Sequence, residues 1–303
     1  MYKIVLSFFS LFLCACLGQG KSPNNKPKVA EEITKENYEI IEVPKALKEI
    51  SGITFINDSV VAAIEDEHGL LYFFNINRKE ILRKFEFAKD GDYEDLVRVG
   101  DKIFVVESNG TIFEITDFDS VNPKVEKYKT PLDKKNNIES IAYNAANQSL
   151  LLAVKDHNLN KDNKDNVEKD IYQFSLKSKK LDKHPFYQIK IKDIEDSYKG
   201  SPLEEESKKF LKALGNKNLT EVIKPSAMAY HPLSGNLYVL SSINHIIVVL
   251  DQQGKFLKVI PFIGKEFRQP EGISFNSKGE LYVSNEGRNV IGNIIKIKEL
   301  DVK

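Results

Sequence analysis

Acidic residues recur at one position of a repeated sequence pattern. Glu94, Glu139 and Glu271 share this position with Ser51 and Ser226, at intervals of 43, 45, 87 and 45 residues. Carboxylates that converge repel one another unless they are protonated, paired with a cationic side chain or bridged by a metal ion. Ca²⁺ takes about six to eight hard oxygen ligands of variable geometry. We therefore predict that the three glutamates form a Ca²⁺ site.

Two further sets of polar residues follow the second strand of each repeat. The first set is Glu65, Glu107, Lys155, Ser241 and Asn285, and the second is Asp66, Ser108, Asp156, Ser242 and Glu286. We expect them near the same end of the strands, which adds Asp66, Glu107 and Asp156 to the candidate metal ligands. Lys155 is the cation that could instead pair with the carboxylates. A single polar residue at a strand end is also typical of a solvated turn.

These residues belong to repeated segments in which an alternating strand, a polar turn and a second apolar strand follow in order. The segments cover residues 50–67, 93–110, 138–157, 225–244 and 270–287. Val, Ile, Tyr and Phe at period two, between Asn, Asp and Gly turns, predict hairpins. A third strand follows most segments, and four strands in about 40 to 45 residues are typical of a propeller blade. The pattern therefore predicts an all-β, five-bladed β-propeller, in which equivalent positions meet around one axis.

The longest interval between segments could contain a sixth blade. Residues 193–224 hold no alternating strand pair, but they fit a helix with Ser201 as N-cap, Pro202 in the first turn and Gly215 at the end. We predict five blades with a helical insertion at about 200–216, and six blades remain the alternative.

The last repeat reaches the end of the chain one strand short. An open outer edge would leave backbone groups unpaired. The isolated strand pattern at 38–43 is predicted to supply the missing strand and so to close the last blade.

The N-terminus has the pattern of an export signal. Lys3 is the only charged residue among the first sixteen, and residues 4–13 are mostly apolar. This run is too short to cross a bilayer core of about 30 Å but is typical of a cleaved signal peptide. Residues 13–16 (Leu-Cys-Ala-Cys) resemble a lipoprotein box, which implies cleavage after residue 15 and lipid attachment to Cys16. An ordinary secretory signal is the alternative.

The next segment, residues 16–37, is polar and contains two prolines. Such a composition predicts a flexible tether from the lipidated Cys16, and the propeller is predicted to occupy 38–303. The chain has 44 basic and 44 acidic residues, so charge gives no reason to expect nucleic-acid binding. Five scattered histidines and the absence of a nucleophile elbow or phosphate-binding loop predict no classical catalytic set.

The repeats also carry a family resemblance. The phrases are EISGI (49–53), DYEDL (92–96), NIESI (137–141), KPSAM (224–228) and QPEGI (269–273). Together they resemble the bacterial SdiA-regulated, or YjiK-like, family over about residues 38–300. The resemblance implies a five-bladed propeller, a bound calcium ion at Glu94, Glu139 and Glu271, and a distant likeness to calcium-dependent propeller phytases and NHL-type propellers. Asp95 and Ser140 depart from the family pattern, which has glycine after the glutamate.

Three functions fit this combination of features. The first is a calcium-binding lipoprotein of the bacterial cell envelope, without catalysis, that presents a propeller face to an unknown protein or small-molecule ligand. Its partner in the membrane would be the lipid bilayer, through acylated Cys16. Because Leu17 is not Asp, the outer membrane is favoured over the inner. The alternatives are a calcium-dependent phosphoesterase of phytase type, which needs several cations on one face, and a lactonase-like hydrolase.

Overall fold

The described part of the chain is built almost entirely of strands. The computed structural model describes residues 28–29, 33, 37–159, 168–198, 223–262 and 264–298. The chain begins with β1 (Lys28–Val29), β2 (Tyr38–Glu42) and a short 3₁₀ helix (Lys45–Leu47). Blade 1 contains β3 (Ile50–Asn57), β4 (Val60–Glu65), β5 (Leu70–Asn75) and β6 (Glu80–Glu86). Blade 2 contains β7 (Tyr93–Val99), β8 (Lys102–Glu107), β9 (Ile112–Thr116) and β10 (Lys124–Tyr128).

The remaining three blades follow the same plan. Blade 3 contains β11 (Ile138–Asn144), β12 (Ser149–Val154), β13 (Glu168–Ser175) and β14 (Lys180–Lys190), and α1 (Ile191–Tyr198) follows it. Blade 4 contains β15 (Pro225–Tyr230), β16 (Leu237–Ser241), β17 (Ile246–Leu250) and β18 (Phe256–Pro261). Blade 5 contains β19 (Pro270–Phe275), β20 (Leu281–Asn285) and β21 (Asn293–Ile297).

The blades form a closed ring. The first strand of each blade lies at one edge of its sheet, and these five inner strands, β3, β7, β11, β15 and β19, are neighbours around the axis. Strands that are buried on both faces pack blade against blade, and each of five apolar clusters joins two adjacent blades. The predicted five-bladed propeller is therefore confirmed. Since burial of this apolar area drives folding, each blade depends on both of its neighbours.

The last blade is completed by the beginning of the chain. β2 pairs antiparallel with β21, from Tyr38 opposite Ile297 to Glu42 opposite Asn293. The order in this sheet is β19-β20-β21-β2. The strand pattern at 38–43 was therefore interpreted correctly, and the two ends of the propeller are held by one set of backbone hydrogen bonds.

Part of the predicted tether is ordered. β1 pairs in parallel with β18, with Lys28 opposite Lys258 and Val29 opposite Val259. Ile33 forms a bridge to Phe262 and is buried among apolar residues of blades 4 and 5. The segment predicted as a tether therefore contacts blade 4 at these positions, through one buried isoleucine and a few backbone pairings.

Other predicted segments lie outside the described residues. These are the signal peptide at 1–15, the lipidation site Cys16 and the helical insertion at about 200–216. The described helix α1 lies just before that insertion. Among the described residues, no helix is both long and apolar enough to cross a membrane.

Two adjacent isoleucines of β2 test the closure of blade 5. Ile41 is 4% exposed, whereas Ile40 is 36% exposed. We expect Ile41→Ala to lower the free energy of unfolding by about 2–4 kcal/mol, because it leaves a cavity between blades 5 and 1. Ile40→Ala should cost less than about 1 kcal/mol. Equal losses in denaturant unfolding would show that β2 does not contribute to this core.

Candidate functional site

A repeated irregularity in the inner strands places the acidic residues. Each inner strand breaks register with its partner at the same level, as a β-bulge does. The breaks lie between Ile50 and Ile53, Tyr93 and Asp95, Ile138 and Ser140, Pro225 and Ala227, and Pro270 and Gly272. A bulge leaves one residue out of the ladder and changes the direction of its side chain. The column of three glutamates and two serines falls at these breaks, at the end of the channel that we call the upper end.

Glu139 lies at the centre of the contacts at the upper end. It is 5% exposed, and its Oε1 pairs with the Lys155 ammonium group and accepts a hydrogen bond of 3.3 Å from Asn137 Nδ2. Its Oε2 is buried and has no hydrogen-bond partner. We call Glu94, Glu139, Glu271 and Lys155 the upper ring, because their charges act on one another.

The upper ring contains three buried carboxyl groups and one ammonium group. Burial, followed by the charge of Glu139, raises the pKa of Glu94 to about 10 and that of Glu271 to about 7. Burial also raises the pKa of Glu139, against the opposing effect of Lys155. Burial alone would lower the pKa of Lys155, but its carboxylate neighbours outweigh this effect and raise it. One ammonium group therefore does not offset the cost of ionising all three buried carboxyl groups.

Asp156, a lesser candidate ligand, lies beside the upper ring and is already paired. It accepts hydrogen bonds from Lys224 Nζ at 3.0 Å and from Asn137 Nδ2 at 3.1 Å. Burial opposes ionisation of Asp156, but these donors outweigh it and lower its pKa. Its charge contributes to the raised pKa of Glu139.

The other two lesser candidates have different neighbours. Burial, together with the charges of Glu49 and Glu286, raises the pKa of Asp66 to about 6 against the opposing effect of a backbone hydrogen bond. Glu107 is half-buried at the end of β8, opposite Tyr93. Both residues lie at the predicted end of the second strand, but neither has a described contact with a ring glutamate.

The structure corrects one register that spacing alone suggested. Lys155 was placed in one set with Glu65, Glu107, Ser241 and Asn285, but the residue paired at that level in blade 3 is Val154. Lys155 N donates instead to Asn137 O, as Ser108 N does to Asp92 O. The error arises because the turns between first and second strands differ in length. Lys155 therefore belongs with Asp66, Ser108, Ser242 and Glu286.

Two aspartates of this region were missed by the sequence analysis. Asp92 accepts a hydrogen bond from the Ser108 hydroxyl, and its charge raises the pKa of both Glu94 and Glu139. Asp95 is 1% exposed. The signal that could have revealed Asp95 is its column, in which all other residues are small: Gly52, Ser140, Ala227 and Gly272.

Asp95 lies just below the upper ring. Its Oδ1 accepts from Leu96 N at 2.9 Å, its Oδ2 accepts from Ile141 N at 3.0 Å, and the backbone of Met228 also donates to it. Burial raises the pKa of Asp95 well above its usual value, while these N–H groups oppose the shift. A methyl group added at Gly52 would come within 2.6 Å of Asp95 Oδ1. The carboxylate therefore fills the channel at this level.

The side chains of the upper ring have the chemistry of calcium ligands, but their carboxyl groups do not surround one common point. The ring carboxylates are hard oxygen donors, and Glu139 Oε2 is buried without a hydrogen-bond partner, which leaves its lone pairs available to a cation. Within the described ranges, no group of three or more His, Cys, Asp or Glu side chains is arranged to hold a metal. Glu94, Glu139 and Glu271 are thus suitable ligands that are not yet gathered around one point.

The family of this chain follows from its match to a known family model. The family model described as SdiA-regulated matches residues 30–290. The chain belongs to the SdiA-regulated family. No curated protein sequence matches this SdiA-regulated protein significantly.

One solved structure supports the fold, and a second is similar at a lower score. Glutaminyl cyclase of Myxococcus xanthus is similar at a TM-score of 0.54 and 12% identity, over 88% of this chain and 97% of the cyclase chain. A streptogramin B lyase gives a TM-score of 0.48 at 12% identity, over 87% and 97% of the two chains. At such identities the likeness concerns the propeller fold alone.

The raised pKa of Glu271 gives a pH prediction for the metal-free protein. A carboxyl whose pKa rises from 4.5 to about 7 on folding contributes stability below pH 4.5 and loses it as the pH rises to 7. In the presence of a chelator, the free energy of unfolding of the unaltered protein should fall by up to about 1.4 kcal/mol per pH unit in this window. The Glu271→Gln variant should not show this fall. Denaturant unfolding at several pH values measures it.

The matched control for this experiment is Glu42→Gln, on an exposed position of β2. It should keep the pH profile of the unaltered protein. If Glu271→Gln also keeps that profile, the carboxyl of Glu271 titrates alike in the folded and unfolded chains.

Proposed function

We propose that this member of the SdiA-regulated family is a non-catalytic, calcium-binding propeller anchored in the bacterial cell envelope. The observation that carries the proposal is the upper ring, in which three carboxylates face one ammonium group. Glu94, Glu139 and Glu271 would be the protein ligands. A divalent cation there would offset the burial and the mutual repulsion that raise the pKa values of Glu94 and Glu271.

The surroundings of the upper ring favour binding over phosphate hydrolysis. A phosphoesterase site needs cationic side chains that are available to phosphate oxygens. Lys155 is paired with Glu139, and Lys224 is paired with Asp156. Since both lysines already have carboxylate partners, the upper end is better suited to hold a cation that stabilises the propeller and shapes its upper face.

The direction of β1 supports an anchor on the opposite side. β18 starts after the turn at 251–255, which lies at the lower end, and β1 runs parallel to β18. Lys28 is therefore nearer the lower end than Val29. The twelve residues from Cys16 to Lys28 can span at most roughly 40 Å. A lipid on Cys16 would thus hold the lower face towards the membrane and present the upper ring away from it.

Calcium titration of the mature chain carrying Cys16→Ser tests the metal proposal. A ligand that binds only the folded state raises stability with its concentration. At about a hundredfold excess over Kd, the melting temperature should rise by about 5–10 °C. The triple variant Glu94→Gln, Glu139→Gln, Glu271→Gln should lose this gain, and it should be at least as stable without calcium because the repulsion is gone.

The control is a second triple variant, Glu42→Gln, Glu80→Gln, Glu86→Gln, which removes the same charge from exposed positions. It should respond to calcium as the parent does. A calcium response that survives in the ring variant, or that is missing from the parent, would refute the proposed metal site.

Fractionation tests the anchor separately. In a bacterial host, the full chain should be recovered with membranes and should incorporate labelled fatty acid. Cys16→Ser should abolish the label and release the protein from the membrane, because a lipid chain is what holds it there. Cys14→Ser should have no such effect, since that residue lies in the predicted signal peptide. Membrane association without lipid labelling would contradict a lipoprotein.

A further inference from the structure

The lower end of the channel contains a second ring of side chains. The five inner strands surround a cavity of about 350 Å³ there. Each blade contributes one large residue at the same level of its inner strand. These residues are Phe55, Arg98, Tyr143, Tyr230 and Phe275, and we call them the lower ring.

Small side chains make room for the cavity. The residue before each member of the lower ring is Thr54, Val97, Ala142, Ala229 and Ser274, respectively, and all five line the cavity. At this level the channel has aromatic walls. The residues before four of the small side chains, Ile53, Leu96, Met228 and Ile273, also line the cavity. Asp95 fills the channel above, so the cavity is reached from the lower face.

The aromatic walls are fixed by neighbours outside the cavity. Phe55 packs edge-on against Tyr282 at 4.8 Å between ring centres, and Phe275 packs in the same way against Tyr238 at 5.0 Å. The Tyr230 hydroxyl accepts a hydrogen bond of 3.1 Å from Asn144 Nδ2. A ligand that enters therefore meets walls whose side chains are already ordered, which reduces the entropy lost on binding.

Arg98 gives the cavity one positive group. Its Nε donates to Gly100 O at 2.8 Å, and its Nη1 donates to Ile56 O. These bonds hold the guanidinium, which has more N–H donors than they use. Among the described residues that line the cavity, Arg98 is the only charged one, and no carboxylate lines it. The guanidinium can therefore serve a carboxylate brought by a ligand.

We propose that the lower ring is a binding site for a small aromatic carboxylate. The flat ring of the ligand would lie between the aromatic walls, and its carboxylate would take the remaining donors of Arg98. The cavity volume is at the lower end of the range of small-molecule sites, which suits a compound of one or two fused rings. The proposal uses none of the residues of the upper ring and does not depend on calcium.

Calorimetric titration with 1-naphthoate, and with uncharged 1-naphthalenemethanol as its matched probe, tests the site on the mature chain carrying Cys16→Ser. We expect one site per chain and at least about tenfold tighter binding of naphthoate, because only it can pair with Arg98. Arg98→Gln should bring naphthoate down to the affinity of the alcohol and leave the alcohol nearly unchanged.

Filling the cavity should abolish the binding of both 1-naphthoate and 1-naphthalenemethanol. Ala229→Phe places a large ring in the cavity, and Ser274→Leu narrows it from blade 5 if the first variant does not fold. Val125 is 38% exposed on the outer strand β10. The Val125→Phe variant adds the same ring outside the cavity and should bind both compounds normally. The Glu94→Gln, Glu139→Gln, Glu271→Gln variant should also bind normally.

Three results would overturn the proposal. They are the lack of saturable naphthoate binding up to about 5 mM, equal affinity for the acid and the alcohol, and binding that survives when the cavity is filled.

Discussion

The buried carboxylate of Asp95 is the constraint on which the channel depends. A propeller leaves one edge of every inner strand facing the axis, where backbone N–H groups have no neighbouring strand. Asp95 accepts hydrogen bonds from the backbones of Leu96 in its own blade, Ile141 in blade 3 and Met228 in blade 4. One side chain thus satisfies donors of three blades in a space too narrow for any large residue.

This arrangement explains why the neighbouring positions must be small. Gly52 lies against Asp95, and a methyl group at Gly272 would come within 2.5 Å of the Ser51 carbonyl oxygen. Ser284 closes the ring on this side by donating to Ser51 O at 2.6 Å. Asp95 and Ser140, which replace the glycine of the family pattern, therefore have different roles. Asp95 organises the axis, whereas the hydroxyl of Ser140 is buried without a hydrogen-bond partner.

The sequence predicted the fold well because its signals are periodic and local. Alternating apolar residues between turns identified the blades, and the unpaired edge of blade 5 required a strand such as the one that begins at Tyr38. Side-chain positions were harder, since they depend on register. Lys155 was misplaced by one residue because the turn of blade 3 (145–148) is longer than that of blade 2 (100–101). Ile33 was missed because a single apolar residue in a polar segment carries no periodic signal.

Electrostatics at the upper end could be predicted only in part. The column of glutamates showed that carboxyl groups converge. Asp92 and Lys224 belong to the repeat phrases at 92–96 and 224–228, but which groups they contact can be read only from the three-dimensional structure. These contacts decide which carboxyl groups of the upper end are stabilised in the ionised form. Lys224 stabilises the charge of Asp156, whereas Asp92 disfavours ionisation of Glu94 and Glu139, so the cost of ionisation is concentrated on the ring glutamates.

The two ends of the channel differ in chemistry because the inner strands change character along their length. At the upper end, the register breaks turn carboxylates towards the axis. Below Asp95 the ladders of four inner strands are regular again, whereas that of β3 shifts once more between Phe55 and Asn57. Each strand presents an aromatic or guanidinium group there. The carboxyl group of Asp95 accepts its hydrogen bonds from backbone N–H groups that a ligand at either end leaves in place. A cation above and an aromatic anion below can therefore bind without competing for any group.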